Sequence, residues 1–231
     1  MAAINTDPRY VRVRSRLTDA ALKLVMQKPA DSINVSELTR AAGVSRTTFY
    51  QHGESPAQFV ADVVADIIQP HLDELVDAVA HASDDYLLRW REIYVRMLGA
   101  LKDNHDVVSR IFAGDRQSVV IGYVAERLTQ TFEAYVEEFE ARLEGEQISE
   151  LWKQMAISQQ VYNLVAVVVA WLRTGMEESP ESVVNTYLTL APPWQLARFE
   201  DGGTLSLKRS RAVSDIVADS YRRKSEGRVL N

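Results

Sequence analysis

The feature that most constrains this chain is a pair of closely spaced helix-start signals within residues 33–52. Asn34, followed three residues later by Glu37, has the form of a capping box, and Ser45 provides a second N-cap. Gly43 lies between them, where a residue after a helix end adopts a left-handed conformation without steric cost. Two helices of about two turns are marginal alone and must pack on other elements. The pattern predicts a helix-turn-helix, with an ordinary helical hairpin as the alternative.

The outward face of the second helix favours the first of these interpretations. If Phe49 points inward, the 100° step per residue places Thr47 and Gln51 on the opposite side. Hydroxyl, amide, guanidinium and phenol groups suit phosphates and base edges. No acidic residue lies between Thr39 and Gly53, where it would repel a phosphate backbone. The flanking positions add Arg46, Thr48 and Tyr50 to this face.

Residues 17–59 resemble the DNA-binding domain of the tetracycline-repressor (TetR) family. The resemblance is carried by an amphipathic first helix, the Ala-Gly-Val-Ser turn at 42–45, the Phe-Tyr-x-His run at 49–52 and a long fourth helix. It implies an all-α fold, in which a three-helix helix-turn-helix DNA-binding domain precedes a helical ligand-binding and dimerisation domain. It also implies contact with double-stranded DNA. The predicted DNA-binding residues are Asn34, Ser36, Ser45, Arg46, Thr47, Thr48, Tyr50, Gln51 and His52.

Two positions depart from the family pattern. Gly53 stands where an aromatic or aliphatic residue usually follows the histidine, and Pro56 stands where a lysine often contacts phosphate. Proline suits a first helical turn but supplies no charge. These departures keep open a different function, that of a helical ligand-binding or protein-interaction dimer that has lost specific DNA binding.

The charge distribution supports a DNA-binding end of the molecule. The net charge is −6, yet residues 1–53 hold 8 basic and 4 acidic residues, giving +4. Residues 54–194 hold 10 basic and 23 acidic residues, giving −13. Residues 195–231 hold 8 basic and 5 acidic residues, giving +3. Such a division confines attraction for nucleic acid to part of the chain. Arg9, Arg12, Arg14 and Arg16 form either a basic arm that reaches DNA or a solvated helix face.

Hydrophobic periodicity predicts helices through the rest of the chain. We expect a long fourth helix from Ser55 to about Ala80, kinked or broken at Pro70. Further helices are predicted after Ser83, over 105–112, over 116–144, over 148–174 and from Pro180 to the Pro192-Pro193 pair. The predicted domains are a helix-turn-helix domain at 1–54, an effector-binding and dimerisation domain at 55–194, and an extension of unknown role at 195–231.

Aromatic and apolar residues at helical spacing predict either a ligand cavity or an ordinary core in the second domain. The family resemblance implies an effector site there for a small apolar or aromatic molecule. The candidate ligand-binding residues are Trp90, Tyr94, Met97, Phe112, Tyr123, Trp152 and Tyr162.

The last two predicted helices of this domain have long apolar faces, which fit either a core or a dimer interface. In the TetR family the matching pair forms the four-helix bundle of a homodimer. The candidate interface residues are Val161, Val165, Val168, Leu172, Val183, Val184, Tyr187 and Leu188.

No catalytic or metal-binding pattern is present in the sequence. There is no cysteine, and no two of the four histidines have the spacing of a zinc site. Phosphate-binding and nucleophile-elbow motifs are missing. The N-terminus lacks a signal-peptide core, and the longest apolar run, residues 161–172, contains Asn163 and is too short to span a bilayer. We therefore predict a cytoplasmic, non-enzymatic regulator of transcription without cofactor or metal, and most simply a repressor.

Overall fold

The structure, a computed structural model, describes residues 7–82, 85–112, 119–143, 148–196, 198–200 and 204–206. The helices of the amino-terminal part are α1 (Pro8–Val25), α2 (Val35–Ala42), α3 (Arg46–His52) and α4 (Pro56–Ala80). Those that follow are α5 (Tyr86–Asp103), α6 (His105–Phe112), α7 (Val119–Ala141), α8 (Glu150–Arg173) and α9 (Pro180–Leu190). Short 3-10 turns lie at Ala30–Ser32 and Pro193–Leu196, and strands β1 (Arg198–Glu200) and β2 (Thr204–Ser206) form an antiparallel hairpin.

The predicted all-α class is confirmed, with two differences of detail. The fourth helix continues through Pro70, because the exposed proline loses one backbone bond while Phe59, Leu72 and Leu75 on either side remain buried against the core. Strands β1 and β2 pair within the extension at 195–231, for which the sequence predicted no strand. The predicted cap at Ser83, the predicted start of a helix at 116, and the extension beyond residue 206 lie outside the described residues.

The core of the second domain lies between α4 and α7, with α5 and α8 packed on either side. Its largest buried side chains include Trp90, Phe132, Tyr135 and Phe139. Burial of a side chain of this size contributes about 1.5–3 kcal/mol relative to an exposed position. The buried hydroxyls of Tyr86 and Tyr135 lie 2.5 Å apart, so one polar group partners the other. The predicted domain boundaries at 54 and 194 remain predictions; α4 packs against both α1 and α7.

An ion-pair cluster lies where α1, α4 and α7 meet. The Arg14 Nη2 atom of α1 lies 2.5 Å from Asp62 Oδ2 of α4, and Arg127 Nε of α7 lies 3.8 Å from Asp62 Oδ1. Burial raises the pKa of the Asp62 carboxyl, and the two arginines oppose that rise. Desolvation of the carboxylate therefore offsets much of the Coulombic attraction, so the cluster fixes orientation more than it adds stability.

One helix among the described residues is apolar and long enough to cross a membrane by length and composition. This helix is α8, which has 24 residues. Of its most apolar stretch of 18 residues, 44% is buried inside the fold. A core helix of a soluble protein passes the same test, so this single helix is weak evidence for a membrane span.

Candidate nucleic-acid interface

The start and end of α2 are fixed by the local sequence. The Glu37 N–H donates to Asn34 Oδ1 over 3.0 Å, and the Asn34 N–H donates to Glu37 Oε2 over 3.1 Å, which completes the predicted capping box. Lys28 donates to the same carboxylate over 2.5 Å, and this bond is the main cause that lowers the pKa of Glu37. Gly43 ends the helix with φ +64°, a left-handed conformation that suits glycine. The side chain of Asn34 is thus part of the cap.

The second helix, α3, begins at the predicted Ser45 cap. Its hydroxyl accepts from the Thr48 N–H over 3.0 Å and lies 2.8 Å from the Thr48 hydroxyl. On the inward side Phe49 is fully buried, with its ring 5.5 Å from that of Phe59 on α4. Tyr50 is 62% exposed on the outer surface. Thr47 and Gln51 are exposed beside it, so the predicted outward face of this helix is present in the structure.

Two residues that are predicted to contact DNA lie close together across the turn between α2 and α3. The guanidinium of Arg46 donates to the hydroxyl of Ser36. This bond joins the first residue of α3 to the second residue of α2 and places a cation beside a hydroxyl at the edge of the outer face. Arg46 and Ser36 therefore form a donor pair suited to an anionic oxygen.

His52 requires a correction, because the structure buries its ring instead of presenting it to DNA. It is 8% exposed and stacks on Tyr10 of α1, with ring centroids 4.1 Å apart. Burial is the main cause that lowers the pKa of His52, and the charge of Arg14 lowers it further. Because Tyr10 covers the ring, we do not count His52 in the outer face of α3. Its Nδ1 atom has no hydrogen-bond partner among the described residues.

The four arginines at the amino terminus belong to α1, which begins at Pro8, so those positions do not form an arm. Arg14 donates to the carbonyl oxygen of His52 over 2.9 Å, and Arg16 donates to that of Gly43 over 2.9 Å. Both arginines thus hold the ends of α2 and α3 against α1. Arg9 and Arg12 are exposed and keep their charge on the surface.

Both departures from the family pattern have local structural causes. A Cβ atom added to Gly53 would lie 2.7 Å from two ring carbons of Phe59 and from the Gln58 side-chain oxygen. Glycine therefore permits the close approach of Phe59 beneath α3. Pro56 is the first residue of α4, after a Ser55 cap that accepts from the Ala57 N–H over 3.1 Å. Neither residue disturbs the outer face of α3.

We expect Gly53→Ala to lower the free energy of unfolding by about 1–3 kcal/mol, because the added methyl group would overlap the buried ring of Phe59. Gly53 is extended at φ −177°, so the cost arises from space and not from backbone strain. Urea denaturation followed by circular dichroism measures it. The matched control is Gly122→Ala in α7, where an added Cβ meets no atom within 4 Å. That control should stabilise the protein by about 0.4–1 kcal/mol, and equal effects of both changes would contradict the packing argument.

Models of known protein families match both the amino-terminal part and the second part of the chain. The family described as "Bacterial regulatory proteins, tetR family" matches residues 17–55, and "Transcriptional regulator C-terminal region" matches residues 89–192. The chain belongs to the TetR family. Its helix-turn-helix and helical second domain are those of a DNA-binding transcriptional regulator. No curated protein sequence matches this TetR-family chain.

Solved structures share the fold of this TetR-family regulator at low sequence identity. FadR of Thermus thermophilus, a TetR-family repressor in complex with lauroyl-CoA, aligns with TM-score 0.55 and 15% identity over 77% of this chain and 92% of its own. SmeT is the repressor of the SmeDEF multidrug efflux pump of Stenotrophomonas maltophilia. It aligns with TM-score 0.51 and 13% identity, over 82% of this chain and 91% of its own. The complex of SmeT with triclosan aligns with TM-score 0.50 and 12% identity, over 77% of this chain and 90% of its own. At these identities the likeness establishes the fold alone.

The candidate ligand residues of this regulator do not enclose one open cavity in the structure. Trp90, Tyr94, Met97 and Phe112 are buried in the core, while Tyr123 and Trp152 are half-buried. Tyr162 needs a correction, because it is 62% exposed on the outer face of α8. Between α5, α8 and α9 a cavity of about 10 Å³ lies beside Tyr94, with Gln160 and Tyr187 among its lining residues. That volume is about the minimum for one water molecule.

The candidate dimer residues separate into two groups. Val161, Val168 and Val184 are at most 3% exposed and face the core, so their side chains are not available to a partner. The other predicted residues are half-buried, namely Val165, Leu172, Val183, Tyr187 and Leu188. The exposed apolar residues of α8 are instead Leu151, Met155 and Tyr162. We call these three residues the α8 stripe. Periodicity marks no single face in the second half of α8, because Asn163 is the one amide or charged residue among residues 161–172.

Proposed function

We propose that this regulator is a homodimeric repressor whose α3 helix enters the major groove of a near-palindromic operator. The observation that carries the proposal is the outer face of α3, where exposed Thr47, Tyr50 and Gln51 adjoin the Arg46–Ser36 pair. The inner face is fixed by Phe49, so α3 can present this outer surface as a rigid unit. Two-fold symmetry then sets the half-sites about 34–36 Å apart, or a multiple of that distance.

The α8 stripe supports the homodimer. Leu151, Met155 and Tyr162 are each at least 62% exposed and follow one another along a single side of the helix. Eleven residue steps separate Leu151 from Tyr162, so the stripe extends about 16 Å along the helix. In the monomer the stripe leaves apolar surface in water, and pairing with a second copy would bury it.

Effector release is the second part of the proposal, and we place the protein in the cytoplasm with its operator. Solved complexes of FadR of Thermus thermophilus and of SmeT contain lauroyl-CoA and triclosan, which supports an apolar or aromatic effector here. Arg127 of α7 approaches Asp62 of α4, which binds Arg14 of α1. A ligand that shifts α7 would therefore change the orientation of α1 and, through it, of α3. The ligand can shift this equilibrium only by its difference in affinity for the two arrangements.

Selection from random duplex DNA by the purified protein tests the proposal. We expect one palindromic motif to be enriched over successive rounds, with its half-sites separated by one helical turn or a multiple. Binding to the selected duplex should fall steeply with salt, since each phosphate contact adds about 0.9 to the slope of log affinity against log salt concentration. A folded, dimeric protein that enriches no motif would overturn the DNA-binding role and leave a ligand-binding dimer.

A further inference from the structure

The 3-10 turn at Pro193–Leu196 lies beyond the region matched by the family's C-terminal domain, which ends at residue 192. Two successive side chains of this turn are nevertheless buried in the second domain. Trp194 is 8% exposed and Gln195 is 2% exposed. We call this segment the 193–196 turn. The side chains of Trp194 and Gln195 contact α7, α8 and α9.

Trp194 supplies an aromatic ring to an aromatic site. Its centroid lies 5.3 Å from that of Phe139 on α7 and 5.3 Å from that of Trp152 on α8, both in edge-to-face contact. Its indole Nε1 donates to Gln159 Oε1 over 3.0 Å. The site therefore binds a flat ring and accepts one hydrogen bond from it.

Gln195 supplies a primary amide to a neighbouring polar site. Its Nε2 donates to Gln160 Oε1 over 2.9 Å, and its Oε1 accepts from the Tyr187 hydroxyl over 2.6 Å. Asn163 also donates to the Tyr187 hydroxyl, at 3.5 Å. These partners carry no formal charge, so the site recognises a neutral group that both donates and accepts.

The amide site is not fully satisfied by Gln195. Gln160 is 1% exposed, and its Nε2 has no hydrogen-bond partner among the described residues. Gln160 lines the cavity of about 10 Å³ beside Tyr94 and Tyr187. A buried donor without a partner is costly, and a molecule with a further acceptor at this point would satisfy it.

An access route adjoins the same site. An open groove of about 500 Å³ runs beside Trp152, Gln159 and Trp194. The Trp194 ring forms part of its wall, so a molecule in the groove would meet the 193–196 turn before it met the amide site. Met155 lines the groove and also belongs to the α8 stripe, so displacement of the turn would change the edge of the proposed dimer interface.

We propose that the 193–196 turn is an internal occupant of a ligand site, and that the effector is a neutral aromatic amide that displaces it. The ring replaces Trp194 between Phe139 and Trp152. The carboxamide replaces that of Gln195 against Gln160 and Tyr187. This inference deepens the proposed function by naming the ligand class and rests on the proposed effector response. Since the turn competes for the site, the intact chain binds a ligand more weakly than the site itself does.

Calorimetric titration of the full chain with indole-3-acetamide tests the inference. We expect Trp194→Ala with Gln195→Ala to bind the probe at least about tenfold more tightly than the unaltered protein, because the competitor is removed. Indole alone should bind the double variant at least about tenfold more weakly than the amide does, since it lacks the group that Gln160 and Tyr187 recognise. Leu88→Ala, at a 65% exposed position of α5, is the control and should leave probe binding unchanged.

Two further measurements keep the outcome clear. Gln195→Leu preserves most of the side-chain volume and should also strengthen probe binding, so it replaces the double variant if that protein fails to fold. Gln160→Leu, added to the double variant or to Gln195→Leu, should remove the gain in probe affinity. Equal affinity of the unaltered and altered proteins, or no binding by any of them, would overturn the inference. Probe binding without any change in operator affinity would overturn only the proposed effector response.

Discussion

Thr47→Ala combined with Tyr50→Ala should strongly weaken specific operator binding while the protein remains a folded dimer. Both side chains lie on the outer face of α3, and Tyr50 is 62% exposed. A good base contact contributes about 1–3 kcal/mol of discrimination, so two lost contacts should weaken Kd by about 30-fold or more. Fluorescence anisotropy with the selected duplex measures this loss.

The control for this double variant is Leu88→Ala, which removes an equally exposed apolar side chain from α5, away from α3. It should leave operator affinity unchanged. The thermal midpoint of the double variant should stay within a few degrees of the original, because Tyr50 is 62% exposed and meets Phe49 edge to face, at 5.1 Å between centroids. Unchanged operator affinity in the folded double variant would show that another surface reads the DNA.

Met155→Glu combined with Tyr162→Glu should convert the protein from a dimer to a monomer. The two residues are 64% and 62% exposed in the α8 stripe, so the substitutions cost little in the isolated subunit. In the proposed interface each glutamate would be buried without a partner, and the two-fold axis would bring like charges close together. An uncompensated buried charge costs about 3–5 kcal/mol, which corresponds to a dimer Kd weakened at least about 100-fold.

Sedimentation velocity at micromolar concentration measures the change in oligomeric state. Operator affinity should fall with it, since one subunit reads only one half-site. Leu88→Glu places the same charge at an equally exposed apolar position on α5 and should leave the dimer intact. If the protein with both glutamates in α8 is still a dimer, its interface lies on another surface.

The helix-turn-helix could be predicted from the sequence because its determinants are local. The capping box of Asn34 and Glu37 joins residues three apart, and the cap at Ser45 reaches only to Thr48. Gly43 takes the left-handed conformation that its place after α2 predicts. Such interactions are decided within one turn of helix, and no distant residue is needed to form them.

The role of His52 was decided by a residue distant in the sequence. Its neighbours in α3 predict a surface position near DNA, but Tyr10 of α1 covers the ring. Arg14 and Arg16 likewise bind the ends of α3 and α2. The pairing of residues 27 and 38 positions apart depends on how α1 packs across the other two helices, and no local pattern encodes that packing.

The sequence by itself determined where α2, α3, α4 and α9 begin, which glycine ends α2 and which face of α3 points outward, because caps and periodicity act over a few residues. Only the tertiary structure decided which side of α8 is core in its second half, since the apolar run at 161–172 has no period that marks one face. It also decided that Val161 lies inside and Tyr162 outside. The burial of Gln195 against Gln160 depends in the same way on a contact between α8 and a segment far along the chain.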